Sequence, residues 1–258
     1  MTQQYTDHHA PEGLRTRGTV VVVPGRGETR ATYNRLGRRL AADAYRVRVV
    51  DAADAADLDT ARLGSSLREF GQRLAAAAPA ADDGTAGPLV LVGSDTGAAA
   101  LAALHSHATE APELRPDALV LAGLPGSAAA SASAGWEDEL DVRTTCPVHR
   151  GALTTDPQVR RGTLGTPVPD ALLDAAYDSR SAVPHLLLAG DLDPLADHDA
   201  LDRLAKTLPR ARLAVVRGAR HDVLNDQQHR AVAAELVTFL EALRADLQPQ
   251  VSVRASAW

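Results

Sequence analysis

Cysteine, lysine and aromatic residues are all scarce in this chain of 258 residues. Cys146 is the single cysteine, which excludes a disulfide scaffold and a cysteine-built structural zinc site. Lys206 is the only lysine, so the rest of the 27 basic residues are arginine. With abundant alanine, this is the mark of a GC-rich coding bias. Aromatics make up 3%, so each one present is expected to have a packing role. No apolar run approaches the roughly 18 residues of a membrane-crossing helix. The opening MTQQYTDHHAPEGL has neither the basic start nor the apolar stretch of a secretory signal, which makes the cytoplasm the default expectation. Excess positive charge is missing too: a net charge of -6 argues against a nucleic-acid or anionic-membrane partner.

What is present is ordinary globular material, 45% hydrophobic and 23% charged. The length suits one large domain that needs no staples. Six short apolar runs stand out: Thr19–Val23, Arg46–Val50, Leu89–Val92, Ala118–Ala122, His185–Ala189 and Arg212–Val216. Each is nearly continuous in branched aliphatics, as strands buried on both faces are. Between them lie stretches of helical period at Ala31–Ala44, Thr60–Ala78, Ala98–His107, Leu201–Leu208 and Gln228–Leu243. Strands alternating with helices predict a mostly parallel central sheet flanked by helices, the α/β class. From residue 126 to 183 the alternation stops, and a short helical DALLDAAY is its clearest feature. That insertion is expected to form a small lid over a site. The core is then 19–125 and 184–247, with residues 1–18 a partly disordered start, His8 and His9 included. Residues 248–258 form a frayed tail that Trp258 could dock.

Three motifs follow in chain order. The third run leads into Gly93-Ser94-Asp95-Thr96-Gly97 and then directly into a helix. A turn this tight needs small residues around its central one, and it holds that side chain above the sheet edge at a helix N-terminus. The central residue is Asp95, since a serine-centred reading would need glycine where Val92 stands. A dinucleotide loop is disfavoured, because its glycine fingerprint belongs after the first strand, where Pro24-Gly25-Arg26-Gly27-Glu28 lies. Next comes Gly190-Asp191-Leu192-Asp193, and then Gly218-Ala219-Arg220-His221-Asp222. A carboxylate at one strand end and a histidine on the next loop are the two parts of an acid–histidine pair.

In that order the motifs resemble the α/β-hydrolase superfamily over Thr19–Asn225. VLVGSDTGAAAL stands at the nucleophile elbow and LLLAGDLDPL at the acid turn. GARHDVLND is similar to the histidine loop of the lysophospholipase and monoacylglycerol-lipase branch. The resemblance implies an α/β-hydrolase fold and a triad of Asp95, Asp193 and His221. Asp193 is preferred to Asp191, which reads as a turn residue or cap. It also implies an oxyanion hole from the backbone amides of Arg26 and Thr96. That branch uses serine, whereas an elbow aspartate is similar to epoxide hydrolases, haloalkane dehalogenases and fluoroacetate dehalogenases. Departures exist there too: Thr96 stands where haloalkane dehalogenases have tryptophan. Of the lid tyrosines expected of an epoxide hydrolase, only Tyr177 is present.

An aspartate is ionised at neutral pH and can displace a halide or open an epoxide without a base. His221 would then activate water against the resulting ester. The leaving group needs a donor opposite Asp95, and the lid offers Trp136, His149 and Tyr177, with Tyr177 first. Other readings stay open: an ester or thioester hydrolase or a biosynthetic tailoring enzyme with Asp95 as a base, or a catalytically silent binding protein. No cofactor is expected. Asp197-His198-Asp199, His105-Ser106-His107 and Cys146 with His149 are weaker candidates for metal or thiol chemistry. The partner is a small-molecule substrate, with a homodimer left open.

Overall fold

The computed structural model describes residues 5–51, 58, 60–78, 87–106, 114–127 and 135–256. The six apolar runs are strands: β2 (Gly18–Val23), β3 (Tyr45–Val50), β4 (Leu89–Ser94), β5 (Ala118–Ala122), β6 (His185–Gly190) and β7 (Ala211–Val216). They pair in parallel, and the full sheet order is β1-β3-β2-β4-β5-β6-β7. The seventh strand, β1 (Tyr5–His8), is antiparallel to β3.

This strand corrects the expectation of a disordered start that included His8. Its sequence YTDH has no apolar run to signal a strand, and tertiary contacts hold it instead. Asp7 accepts from Arg48 at 2.6 Å and from Arg46 at 3.1 Å, and the Arg48 guanidinium lies 3.6 Å from the centre of the Tyr5 ring. The far end differs less from expectation: residues 251–256 are exposed and without regular structure, while Trp258 lies outside the described residues.

Every buried strand contributes to two cores, one on each face, because its side chains alternate. Val21, Val23, Leu91, Leu121 and Leu187 pack under α2 (Leu63–Ala77), α3 (Thr96–Ser106) and α7 (His198–Thr207). Val20, Val22, Val90, Val92 and Leu188 face α1 (Asn34–Ala42) and α8 (His229–Leu243). The α3 sequence is so rich in alanine that nearly the whole helix is buried. Small side chains let its backbone lie close to the sheet.

The insertion after β5 holds three helices: α4 (Trp136–Arg143), α5 (Pro147–Thr155) and α6 (Asp170–Tyr177). It is not uniform. Leu172, Leu173 and Ala176 of α6 belong to the main core, whereas Leu140, Leu153 and Val159 form a small cluster of their own, with Trp136 against it. The inserted segment therefore divides, with α4 and α5 packing apart from the main core and α6 belonging to the body.

Strand order decides which loops meet. β2 and β4 are neighbours, with Val23 opposite Gly93, so the loop after β2 lies beside the turn after β4. β6 and β7 are neighbours too, with Gly190 opposite Val216. The carboxyl ends of these strands form one edge, where open α/β sheets place their sites.

The turn after β4 works only with glycine at its ends. A Cβ on Gly93 would sit 2.6 Å from the Ala98 backbone, and one on Gly97 would sit 2.7 Å from the Pro24 carbonyl. Gly93→Ala should therefore lower stability by about 1–3 kcal/mol, the usual cost of overpacking. Urea unfolding would show it as a lower midpoint with an unchanged slope.

Candidate active site

Asp95 sits at the tip of the turn between β4 and α3 with a φ of 50°. A non-glycine residue in that left-handed region is strained, and such strain is typical of a functional turn. Its amide donates to Ala122 of β5 at 2.9 Å, and its carbonyl accepts from Ala99 at 3.1 Å, so both neighbours fix the tip. The side chain is 2% exposed.

Two groups meet its carboxylate. His221 Nε2 lies 3.1 Å from Oδ1, and His221 Nδ1 lies 2.9 Å from Asp193 Oδ2. Asp95, His221 and Asp193 thus form one continuous line. The other oxygen of Asp193 accepts from the Leu195 amide at 2.9 Å, which orients the carboxylate. Asp191 takes a different part: it accepts from the Gly218 amide at 2.6 Å and ties the β6 turn to the loop after β7.

Arg26 is the second group. Sequence reading assigned it only a backbone amide, and that amide does donate to Asp95 Oδ2 at 2.9 Å. Its side chain does more. Nε donates to Oδ2 and Nη2 to Oδ1, both at 2.8 Å, a two-pronged clamp with Arg26 only 4% exposed. The third nitrogen, Nη1, donates to the Thr166 carbonyl of the inserted segment at 2.5 Å. No hydrogen bond joins the Thr96 amide to the Asp95 carboxylate among the described residues.

Burial alone would raise the pKa of Asp95, but Arg26 and His221 outweigh it and hold the carboxyl well below its usual range. Burial would likewise discharge His221. Its two aspartates reverse that and push its pKa up to about 10, so at neutral pH an imidazolium lies between two carboxylates.

The three side chains expected to face Asp95 are committed elsewhere. Tyr177 donates its hydroxyl to the Pro125 carbonyl at 3.1 Å. Trp136 Nε1 donates to Thr154 at 3.2 Å, and His149 Nε2 lies 2.8 Å from Asp222 Oδ2. Among the described residues, the donors that face the carboxylate are Arg26 and His221.

A second polar cluster lies beside Asp95, His221 and Asp193. Glu28, Tyr33, Glu139, Arg143, His149 and Asp222 form it, and of these the sequence marks His149, as a lid donor, and Asp222, by its place after His221. Tyr33 donates its hydroxyl to Glu28, whose Oε2 also accepts from the Gly25 amide at 2.8 Å. Arg143 is fully buried; it donates to Glu139 at 2.8 Å and to the Arg26 carbonyl at 2.7 Å, and lies 3.5 Å from Asp222. Burial and the nearby Asp222 raise the Glu28 pKa to about 7.

Glu28, His149 and Asp222 each offer an atom that could ligate a metal, all within 4.8 Å of one another. His149 and Asp222 already bond each other there, and the Arg143 cation lies against Asp222. Of the weaker candidates, Asp197 caps α7 by accepting from Ala200 at 2.8 Å, and His107 lies outside the described residues.

The family model for serine aminopeptidase S33 matches residues 15–228. The chain belongs to this family. It is a hydrolase of the α/β-hydrolase type, though its elbow residue is aspartate rather than serine. Solved structures share the fold at low identity. A monoglyceride lipase from Saccharomyces cerevisiae aligns at 14% identity with a TM-score of 0.68, over 93% of this chain and 91% of the lipase. The monoacylglycerol lipase of Paleococcus ferrophilus aligns at 17% identity and 0.65, over 94% of this chain and 100% of the other. The carboxylesterase CesB of Bacillus subtilis aligns at 16% and 0.60, over 90% and 85%. No curated protein sequence matches the chain.

The raised pKa of His221 has a consequence for stability. Between its ordinary value of 6.5 and about 10, the folded protein keeps a proton that the unfolded chain releases. The stabilisation from this group is complete below pH 6.5 and is lost as pH rises through about 10. The melting temperature of the wild type should therefore fall from pH 7 to pH 10 more steeply than that of His221→Gln. Parallel curves would show that the imidazole is not held charged.

Proposed function

We propose that the chain hydrolyses a small organic molecule through an alkyl ester formed on Asp95, with a carbon–halogen bond or an epoxide as the electrophile. The observation that carries this reading is the acidity of the elbow carboxylate, clamped by Arg26 and paired with His221. A general base works best with a pKa near the working pH, so a carboxyl this acidic is a poor activator of water. It is, however, ionised at neutral pH, and displacement at carbon requires only that. An ordinary ester would instead give an anhydride on Asp95, a poorer intermediate.

Oδ1 is the attacking atom in this scheme, because Oδ2 already accepts from the Arg26 amide at 2.9 Å and would become the ester carbonyl. Arg26 must first release Oδ1, since its Nη2 and His221 together occupy that oxygen. Oδ1 bonds to the carbon as the halide departs with its electron pair, or as the epoxide C–O bond breaks and its oxygen takes a proton from water. A departing halide needs no proton, whereas an epoxide oxygen does, which favours the carbon–halogen substrate.

Ester formation removes the charge on Asp95, one of the two carboxylates that keep His221 protonated. His221 then loses its proton to solvent and takes another from water as hydroxide adds to the ester carbon. The Arg26 amide, joined by that of Thr96 if the elbow relaxes onto it, stabilises the oxyanion. Collapse expels the alkoxide, which takes the proton from His221, and the Asp95 carboxyl gives its proton to His221, which restores the imidazolium–carboxylate pair. Trp136, His149 and Tyr177 have no part in this scheme, since each is bonded elsewhere.

The saturation of both Asp95 oxygens also favours one rival, a silent protein in which the Arg26–Asp95 pair is purely structural. Intact-protein mass spectrometry with a panel of halides and epoxides separates the two. His221→Gln should accumulate an adduct of the alkyl mass, Asp95→Asn should form none and lose turnover, and a single turnover in oxygen-18 water should label Asp95. A wild type that turns over no member of the panel, with no adduct in His221→Gln, favours the silent protein.

A further inference from the structure

The groove between α1, α5 and the start of α8, about 850 Å³ in volume, has none of Asp95, Arg26, Asp193 or His221 in its lining. Arg35, Arg38 and Arg39 line it from α1, with His229 and Arg230 from α8. Spacing of three and four residues sets the α1 arginines on one helix face. Asp43 is the single acid among the lining residues, and Arg38, Arg39 and Arg230 form no ion pair among the described residues. The first turn of α8 carries no acid either, and Arg230 adds positive charge at its positive end. Partial burial and then Arg35, Arg39 and Arg230 lower the pKa of His229, so these like charges act on one another.

We propose that this groove binds a small molecule carrying two or more linked phosphate groups. Unpaired guanidiniums converging on one cleft repel each other, and an anion relieves that repulsion. Guanidinium is planar and takes phosphate oxygens in pairs, so Arg38 and Arg39 of α1 with Arg230 of α8 lining one groove suit a polyphosphate better than a single carboxylate. The cleft is of small-molecule size. Its wall is preorganised: Arg35 donates to the Asn225 carbonyl and lies 3.4 Å from Cys146 Sγ, which leaves the outer arginines to meet the ligand. His149 forms part of the lining and bonds Asp222, the residue after His221, so the groove backs onto the histidine loop. The proposal does not depend on the chemistry at Asp95.

Isothermal titration of the full chain with pyrophosphate and with ADP tests it. One saturable site per chain is expected, weakening as salt is raised. Arg38→Gln, Arg39→Gln and Arg230→Gln, all at exposed positions, should each weaken binding about tenfold, the value of one charge-assisted hydrogen bond. Equal affinity for the two probes means that the phosphates alone are recognised, and tighter binding of ADP means that a nucleoside adds contacts; both support the site. Absence of saturation with either probe overturns it, as does binding that all three variants leave unchanged. Saturation by polyglutamate alone would also overturn it, in favour of a docking surface for an acidic protein.

Discussion

The ion pair between Arg26 and Asp95 is the contact on which the centre of this molecule depends. Both partners are almost completely buried, and their charges are tolerable there only because they are matched. Two buried charges gain little net stability over a well-packed apolar pair, but removing one partner strands the other and costs about 3–5 kcal/mol. The pair also joins parts of the chain that are distant in sequence. Arg26 belongs to the loop after β2, Asp95 to the turn after β4, and Nη1 reaches the inserted segment at Thr166.

Around it, charge is arranged in a chain of compensations. Asp193 and Asp95 hold a proton on His221, and Arg26 then offsets the second carboxylate. Arg143 links this system to its neighbour by donating to the Arg26 carbonyl while it lies against Glu139 and Asp222. The inserted segment is bound to the histidine loop by backbone as well, with the Asp222 amide donating to the Arg143 carbonyl at 2.8 Å. The charges around Asp95 and the fastening of the inserted segment are therefore one network, joined at Arg26 and Arg143.

Most of the scaffold was legible in the sequence because its signals are local. Val20 to Val23 and Leu89 to Val92 announce buried strands by composition, and Gly93 and Gly97 announce a turn that only small residues can make. Strand β1 was not legible, since YTDH derives its order from Arg46 and Arg48 across the sheet. The division of the insertion was hidden too. Nothing in DALLDAAY distinguishes a lid helix from one packed into the main core, since both need one apolar face.

The sequence by itself determined the α/β class, the order of the motifs and the identity of the elbow residue, because each is written in neighbouring residues. Tertiary structure alone decided what that elbow residue experiences. Whether Arg26 offers Asp95 only an amide or its whole guanidinium depends on β2 lying beside β4. Likewise, His149 turns to Asp222 rather than Asp95 because α5 packs over the histidine loop. These are contacts between residues 69 and 73 positions apart. Charge interactions act through space, and only the folded chain sets those distances.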